Sequence, residues 1–406
     1  MKTRFSCLTL LAVVALQFFT GASLQAQEIT KDQARNQFAQ TLALAMSNPG
    51  LRDFLKTEAS RQFDGDFDIL YEVVKNREVS PGRTFASVLA NYASGSIPNK
   101  VAFFSSDLCQ IDPLLNISFP ELEAASVETW NTATGVPAVA VIETSFVDNS
   151  SVSTKAYDIR GSQISISATV EPTVLTAVVG PSERVIAVNS TTMITSDGVR
   201  LTRGIPSGYQ FLMTGGCFDL YVHVLTPLDP PPGGGGSSPD ACERDQKTTK
   251  DDLYKVTMRT KADRNWAEGW LYGKLEMEAH VFFADNGLNS TGLTEVIKSF
   301  SLKRDYYDND WYTPSLEIFH WLPNTNGDKM LYYWIEDDKN SFEISIPLKL
   351  NLKILGVGIE LGATIKYSEQ DEPCGSSIIE YCDHANTPGS EYNTGRVKFK
   401  VRHRDN

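Results

Sequence analysis

Residues 229 to 239 divide this chain: Asp229 and three prolines run into Gly233 to Gly236, then Ser237, Ser238 and Pro239. Consecutive prolines hold an extended polyproline geometry and the glycines behind them are flexible, so the segment reads as a spacer that packs on nothing. The flanking residues must then bury their apolar surface as two separate units. With 406 residues, 41% of them hydrophobic and 21% charged, the chain is long enough for two cores. The expected organisation is a leader over 1–26, a first domain over 27–228, the linker over 229–241 and a second domain over 242–406.

The leader has Lys2 and Arg4 ahead of an apolar run from Leu8 to Phe19, closing on small and polar residues before Ala26. This is the pattern of a secretory signal peptide. A retained anchor would need about 20 uninterrupted apolar residues, and Gln17 breaks this run. Cys7 precedes the run, where a lipidated cysteine would have to end it. Later apolar runs are short; Ile354 to Ile365 is broken by Gly356, Gly358 and Gly362. The expected product is soluble, with no membrane span after cleavage, and secreted or periplasmic. Its net charge of -13, from 50 acidic against 37 basic residues, repels phosphate backbones and excludes nucleic acid as a natural partner.

Export also bears on the cysteines. An oxidising compartment favours pairing among Cys109, Cys217, Cys242, Cys374 and Cys382, with one left over. Cys374 and Cys382 are close in sequence between two strand-like runs and are expected to staple a long loop. Cys109 with Cys217 is the second choice. Zinc on Cys374, Cys382 and His384 would need a C-x-x-C pair or a second cluster, and neither is present.

Hydrophobic spacing splits the first domain. A Thr30-x-x-Gln33 capping box precedes Phe38, Leu42 and Met46, and Asn48-Pro49 opens a second helix with Leu51, Phe54, Leu55 and Phe63 on one face. Phe67, Leu70, Tyr71 and Val74 mark a third helix, and Phe85, Val88, Leu89 and Tyr92 a fourth. From about residue 100 the period becomes two, with strands expected near 137–144, 152–158, 163–168, 174–180, 184–189 and 218–225. The second domain reads as strands near 253–260, 274–283, 295–302, 329–336, 341–350, 356–367 and 396–402. The fold class is therefore α+β: a bundle of short helices packed with an antiparallel β region, then an all-β sandwich, immunoglobulin-like or C2-like in outline.

Several motifs invite chemistry. Asp64-Gly65-Asp66-Phe67-Asp68 offers alternate carboxylates, but the sixth and twelfth positions of a helix-loop-helix calcium site would be Ile69 and Lys75 instead of glycine and glutamate. An acidic turn opening the third helix is the expectation. Acidic loops of the second domain are better calcium candidates, through Asp308, Asp310, Asp328, Asp337 and Asp371, provided the loops meet at one end of the sandwich. Five of the six tryptophans follow the linker. Trp334 and Trp270 read as core, whereas Trp311 and Tyr312, preceded by Asp308, Asn309 and Asp310, are the exposed pair suited to ligand contact. G-x-S-x-G and H-E-x-x-H are missing, the histidines are scattered, and His280 within a strand reads as structural.

Two stretches carry a resemblance. Pro172 to Arg184, with Ala156-Tyr157-Asp158-Ile159-Arg160-Gly161 upstream and the helical opening around Leu51 to Val74, resembles an uncharacterised family of secreted bacterial two-domain proteins. Trp270-Leu271-Tyr272-Gly273-Lys274-Leu275-Glu276 is similar to that family's W-x-x-G-x-x-E. The resemblance implies export and a two-domain layout, and it brings no activity with it. The residues favour a non-enzymatic exported binding or surface-associated protein, with an extracellular or periplasmic protein or glycan as partner. The alternative is an exported peptidase or glycosidase with an accessory sandwich.

Overall fold

The computed structural model describes residues 29–405 apart from 147–150, 197, 202–204, 206–208, 215, 224–248, 290, 315, 338–342, 356, 369–370 and 382–389. The leader, the linker and Cys382 therefore lie outside the described residues. Helix α1 (Lys31–Ala45) starts at the expected capping box: the Thr30 side chain accepts from Gln33 N (3.2 Å) while Gln33 Oε1 accepts from Thr30 N (2.9 Å). Asn48 caps α2 (Pro49–Ala59). The expected third helix is instead a strand, β1 (Asp68–Leu70), followed by one turn, α3 (Tyr71–Val74). Pairing in a sheet has overridden the local spacing, and Leu70, Tyr71 and Val74 are buried in either form. A hairpin of β2 (Glu78–Ser80) and β3 (Arg83–Thr84) leads into α4 (Phe85–Tyr92), and α5 (Leu108–Ile111) carries Cys109.

The helices cover a six-stranded sheet. After β1 its strands are β4 (Leu115–Ser118), β5 (Ala138–Val141), β6 (Ser153–Tyr157), β7 (Gln163–Ser167) and β8 (Thr176–Pro181), in the order β1-β4-β8-β5-β6-β7. The expected antiparallel region is in fact mixed, because β5 and β8 run parallel, with Val139 opposite Ala177. The β6–β7 hairpin between them supplies the crossover that a parallel pair requires. Ile117, Val139, Val141, Ala177 and Val179 face the helices and join Phe38, Leu42 and Leu55 in one core. Ala140, Ala156 and Val178 point the other way.

A second, antiparallel sheet follows: β9 (Val185–Val188), β10 (Thr192–Thr195), β11 (Gly198–Leu201), β12 (Tyr209–Thr214) and β13 (Asp219–His223), ordered β11-β10-β9-β13-β12. A disulfide joins Cys109 to Cys217, with Cα atoms 6.0 Å apart, fastening α5 to the turn before β13.

The C-terminal half begins with β14 (Thr249–Met258) and a short helix, α6 (Lys261–Ala267). Strands β15 (Leu275–Ala284), β16 (Leu293–Leu302), β17 (Leu316–Phe319), β18 (Lys329–Glu336), β19 (Glu343–Ile354), β20 (Val357–Ser368), β21 (Glu372–Glu380), β22 (Ser390–Asn393) and β23 (Val397–Asp405) complete it. They form antiparallel sheets ordered β17-β14-β23-β22 and β16-β15-β18-β21, with β19 and β20 as a separate hairpin. Val256, Val401 and Phe399 of the first share a core with Met277, Tyr332 and Trp334 of the second. The hairpin packs Leu350, Leu352, Ile354, Leu361 and Ile365 on Phe282, Leu331 and Ile335, the opposite face of β15 and β18. Strand β18 is thus covered on both sides, which accounts for its unbroken apolar run from Met330 to Ile335.

Cys374 differs from expectation. It lies inside β21 as a buried free thiol, pushed up to about 12 by burial. The disulfide that does form is the second choice, closing a sequence separation of 108 residues. Closing so long a loop restricts the unfolded chain, and removing such a bridge costs about 2–5 kcal/mol. The Cys109→Ser/Cys217→Ser variant should therefore show a lowered denaturation midpoint. Reduction of the wild type should lower it equally, and reduction should leave the variant unchanged.

Candidate functional site

The two residues expected to contact ligand differ in setting: Tyr312 packs against the core of the C-terminal half, and Trp311 lies beside the outward lysines of β23. Tyr312 exchanges backbone hydrogen bonds with Val256 (2.9 Å each) and stacks on Phe300 at 5.8 Å, so it is a wall. Trp311 is half-buried beneath Lys398 and Lys400, whose Nζ atoms stand 5.7 and 4.8 Å from its ring centre. Strand alternation extends the pattern. Val397, Phe399 and Val401 point inward, while Arg396 lies over Trp266 at 3.3 Å and Arg402 over Tyr254 at 4.6 Å. Four cations thus line up beside three rings. Arg396 is held by Asp263 (3.1 Å), Lys400 by Glu391 (3.7 Å) and Arg402 by Asp252 (3.4 Å).

The five calcium candidates are scattered. Asp308 and Asp310 are exposed in one turn, Asp328 Oδ1 accepts from Lys353 N (2.6 Å), Asp337 N donates to the Glu276 carbonyl (2.7 Å), and Asp371 is buried beside β21. Among the described residues, the one acidic trio at ligand spacing is a different one: Glu183, Glu268 and Glu276.

That trio belongs to the contact between the two halves. Trp270 and Leu271, between α6 and β15, enter the apolar patch of Leu122, Ala140, Ile142, Ala156, Ala168 and Val178 on the six-stranded sheet. Trp270 Nε1 donates to the Ser167 carbonyl at 3.1 Å. Charges flank the wedge on both sides. Asp66 receives Arg184 Nη2 on one oxygen and Lys274 Nζ on the other, each at 2.9 Å. The same Arg184 pairs with Glu276 and donates to the Asp64 carbonyl (2.5 Å). Lys274 also donates to the Gly65 carbonyl (2.6 Å). Gly65 takes a φ of +101°, and a Cβ there would stand 3.1 Å from Arg184 Nη1, so this turn suits glycine. Opposite, Glu171 sits between two buried arginines, accepting from Arg264 Nη2 (2.6 Å) and Arg304 Nε (3.2 Å). Glu123 accepts from Lys261 and from the Tyr307 hydroxyl.

Between Asp66, Asp68, Asn116, Ser118, Glu183, Arg184 and Glu276 lies a cavity of about 30 Å³. That is room for a water or an ion, since one water needs about 10–15 Å³ on this measure. Burial, reinforced by Asp66, raises the Asp68 carboxyl to about 6, and burial with Asp68 and Asp66 raises Asp64 well above the usual carboxylate range. Asn116 Nδ2 donates to Asp68 Oδ2 (2.6 Å), while Asn116 Oδ1 accepts from no protein group.

Sequence reasoning passed over this centre. Local spacing makes Asp64 to Asp68 an acidic turn opening a helix and Arg184 the first residue of a strand. The available signal was the Trp270 to Glu276 motif, whose Trp270, Lys274 and Glu276 all cross between the halves. His280, expected to be structural, lies in β15, where burial lowers its basicity. Hydrogen bonds with Glu278 and Glu295 outweigh this and hold it at about 9. Comparison with protein-family models, curated proteins and solved structures finds no match.

Glu171→Gln leaves two buried guanidinium groups without their carboxylate, which costs about 3–5 kcal/mol; the variant should melt lower and be cut faster by protease between residues 261 and 276. Lys349→Gln, breaking an exposed pair with Glu360, should leave both readings unchanged. For Asp68 the folded value lies above the ordinary 3.8, so the folded state holds the extra proton. Stability is then lost as pH rises from 3.8 through about 6. In metal-free buffer, Asp68→Asn should raise Tm at neutral pH and leave it nearly unchanged at the acid end of that window.

Proposed function

We propose that this protein is an exported, non-enzymatic binding protein whose C-terminal half takes an acidic glycan across the Trp311 face. In this reading the half is a sandwich, immunoglobulin-like or C2-like in outline, and β23 is its ligand strand. The supporting observation is the row of Arg396, Lys398, Lys400 and Arg402 set against Trp266, Trp311 and Tyr254. Aromatic faces order the long cationic stems, and the two-residue repeat spaces the charges by about 7 Å. Repeated carboxylates or sulfates of a polysaccharide suit such a row. Because Arg396, Lys400 and Arg402 already have carboxylate partners, binding is modest and sensitive to salt.

An exported hydrolase has one observation behind it, the raised Asp68 carboxyl beside Asp66 and Glu276. Its surroundings offer about 30 Å³, whereas organic ligands occupy pockets of about 300–1,000 Å³, so the binding reading is preferred.

Titration of the purified chain with a polyuronate, a sulfated polysaccharide and a neutral polymer tests it. Saturable binding to the anionic polymers is expected, weakened at least about tenfold by Trp311→Ala or Lys398→Ala and suppressed by salt. Binding that is absent, equal for the neutral polymer, or untouched by both substitutions would remove the proposal.

A further inference from the structure

We infer that the contact between the halves holds a calcium ion, coordinated by Glu183 from the N-terminal half and by Glu268 and Glu276 from the C-terminal half. The ligand oxygens of this trio all lie within 4.8 Å of one another. Calcium takes oxygen ligands at about 2.3–2.6 Å, so donors on opposite sides of one ion stand about 4.6–5.2 Å apart. The trio thus meets that spacing as it stands.

A second observation, independent of the carboxylates, points to the same place. Asn116 is only 3% exposed, lines the same cavity as Glu183 and Glu276, and its Oδ1 accepts no hydrogen bond. The amide cannot be turned to relieve this, because its Nδ2 is donated to Asp68 Oδ2 at 2.6 Å. A buried carbonyl oxygen with no donor costs free energy unless a cation or a water meets it.

Charge favours a cation over water. Asp64, Asp66, Asp68, Glu183, Glu268 and Glu276 gather around Arg184 and Lys274. These carboxylates outnumber the two cations, and a divalent ion reduces the negative excess. The cavity of about 30 Å³ has space for an ion with one attendant water. Every donor is oxygen, which suits a hard cation better than zinc. Calcium tolerates an irregular shell, while magnesium demands near-octahedral donors at about 2.0–2.1 Å. Since the donors come from both halves, the ion binds the docked state alone and stabilises it by mass action.

Thermal melting of the chelator-treated full chain in CaCl2 or MgCl2 at fixed ionic strength tests this, with equilibrium dialysis giving the stoichiometry. A saturable rise in Tm with calcium, a smaller one with magnesium, and one calcium per chain are expected. Glu183→Gln should weaken the response at least about tenfold, while Glu391→Gln, a surface control, should keep it. No calcium-dependent rise, an equal rise with magnesium, or a full response in Glu183→Gln would overturn the assignment. Should that variant not fold, dialysis of the wild type still decides, because no bound calcium at millimolar concentration would overturn it.

Discussion

The shared grip of Arg184 and Lys274 on Asp66 is the constraint that turns two sets of sheets into one molecule. One cation comes from each half, and the carboxylate they share lies at the turn entering β1. Buried charges of this kind gain little net stability over apolar packing, because desolvation offsets much of the Coulomb attraction. Their effect is on geometry: any slippage of the halves would leave Lys274, Arg264 or Arg304 buried without its carboxylate. The apolar wedge of Trp270 and Leu271 supplies the non-directional part of the contact, and the charges around it fix the register.

The same arrangement explains why an acidic chain concentrates further negative charge at its own seam. Glu121, Glu123 and Glu171 of the first half meet Lys261, Arg264, Lys303 and Arg304 of the second. Around Glu183, Glu268 and Glu276 the carboxylates outnumber the cations, and the structure answers with a raised Asp68 carboxyl and a small polar cavity. An excess of this sort is relieved by a proton or by a metal ion.

Local features were legible in the sequence and long-range ones were not. The Thr30 capping box, the Asn48-Pro49 helix start and strand β18 stand where residue spacing places them, because each depends on neighbours a few positions away. The run Phe67 to Val74 fits helical spacing, yet β1 is drawn into the sheet by Leu115–Ser118, a partner out of range of any local pattern. The parallel β5–β8 pair and the hairpin layer of β19 and β20 were missed for the same reason. Proximity in sequence favoured Cys374 with Cys382, while the bridge that forms spans 108 residues. At the seam, Arg184 reaches Asp64 across 120 positions and Lys274 reaches Gly65 across 209. Asp64-Gly65-Asp66-Phe67-Asp68 departs from the calcium-loop template, and its charge partners Arg184 and Lys274 lie far along the chain.

If the seam couples the halves as described, they unfold together despite a linker whose composition suits independent units. Differential scanning calorimetry of the full chain tests this most directly. The account predicts one transition whose calorimetric and van't Hoff enthalpies agree. Two resolved transitions, or a calorimetric enthalpy about twice the van't Hoff value, would contradict it.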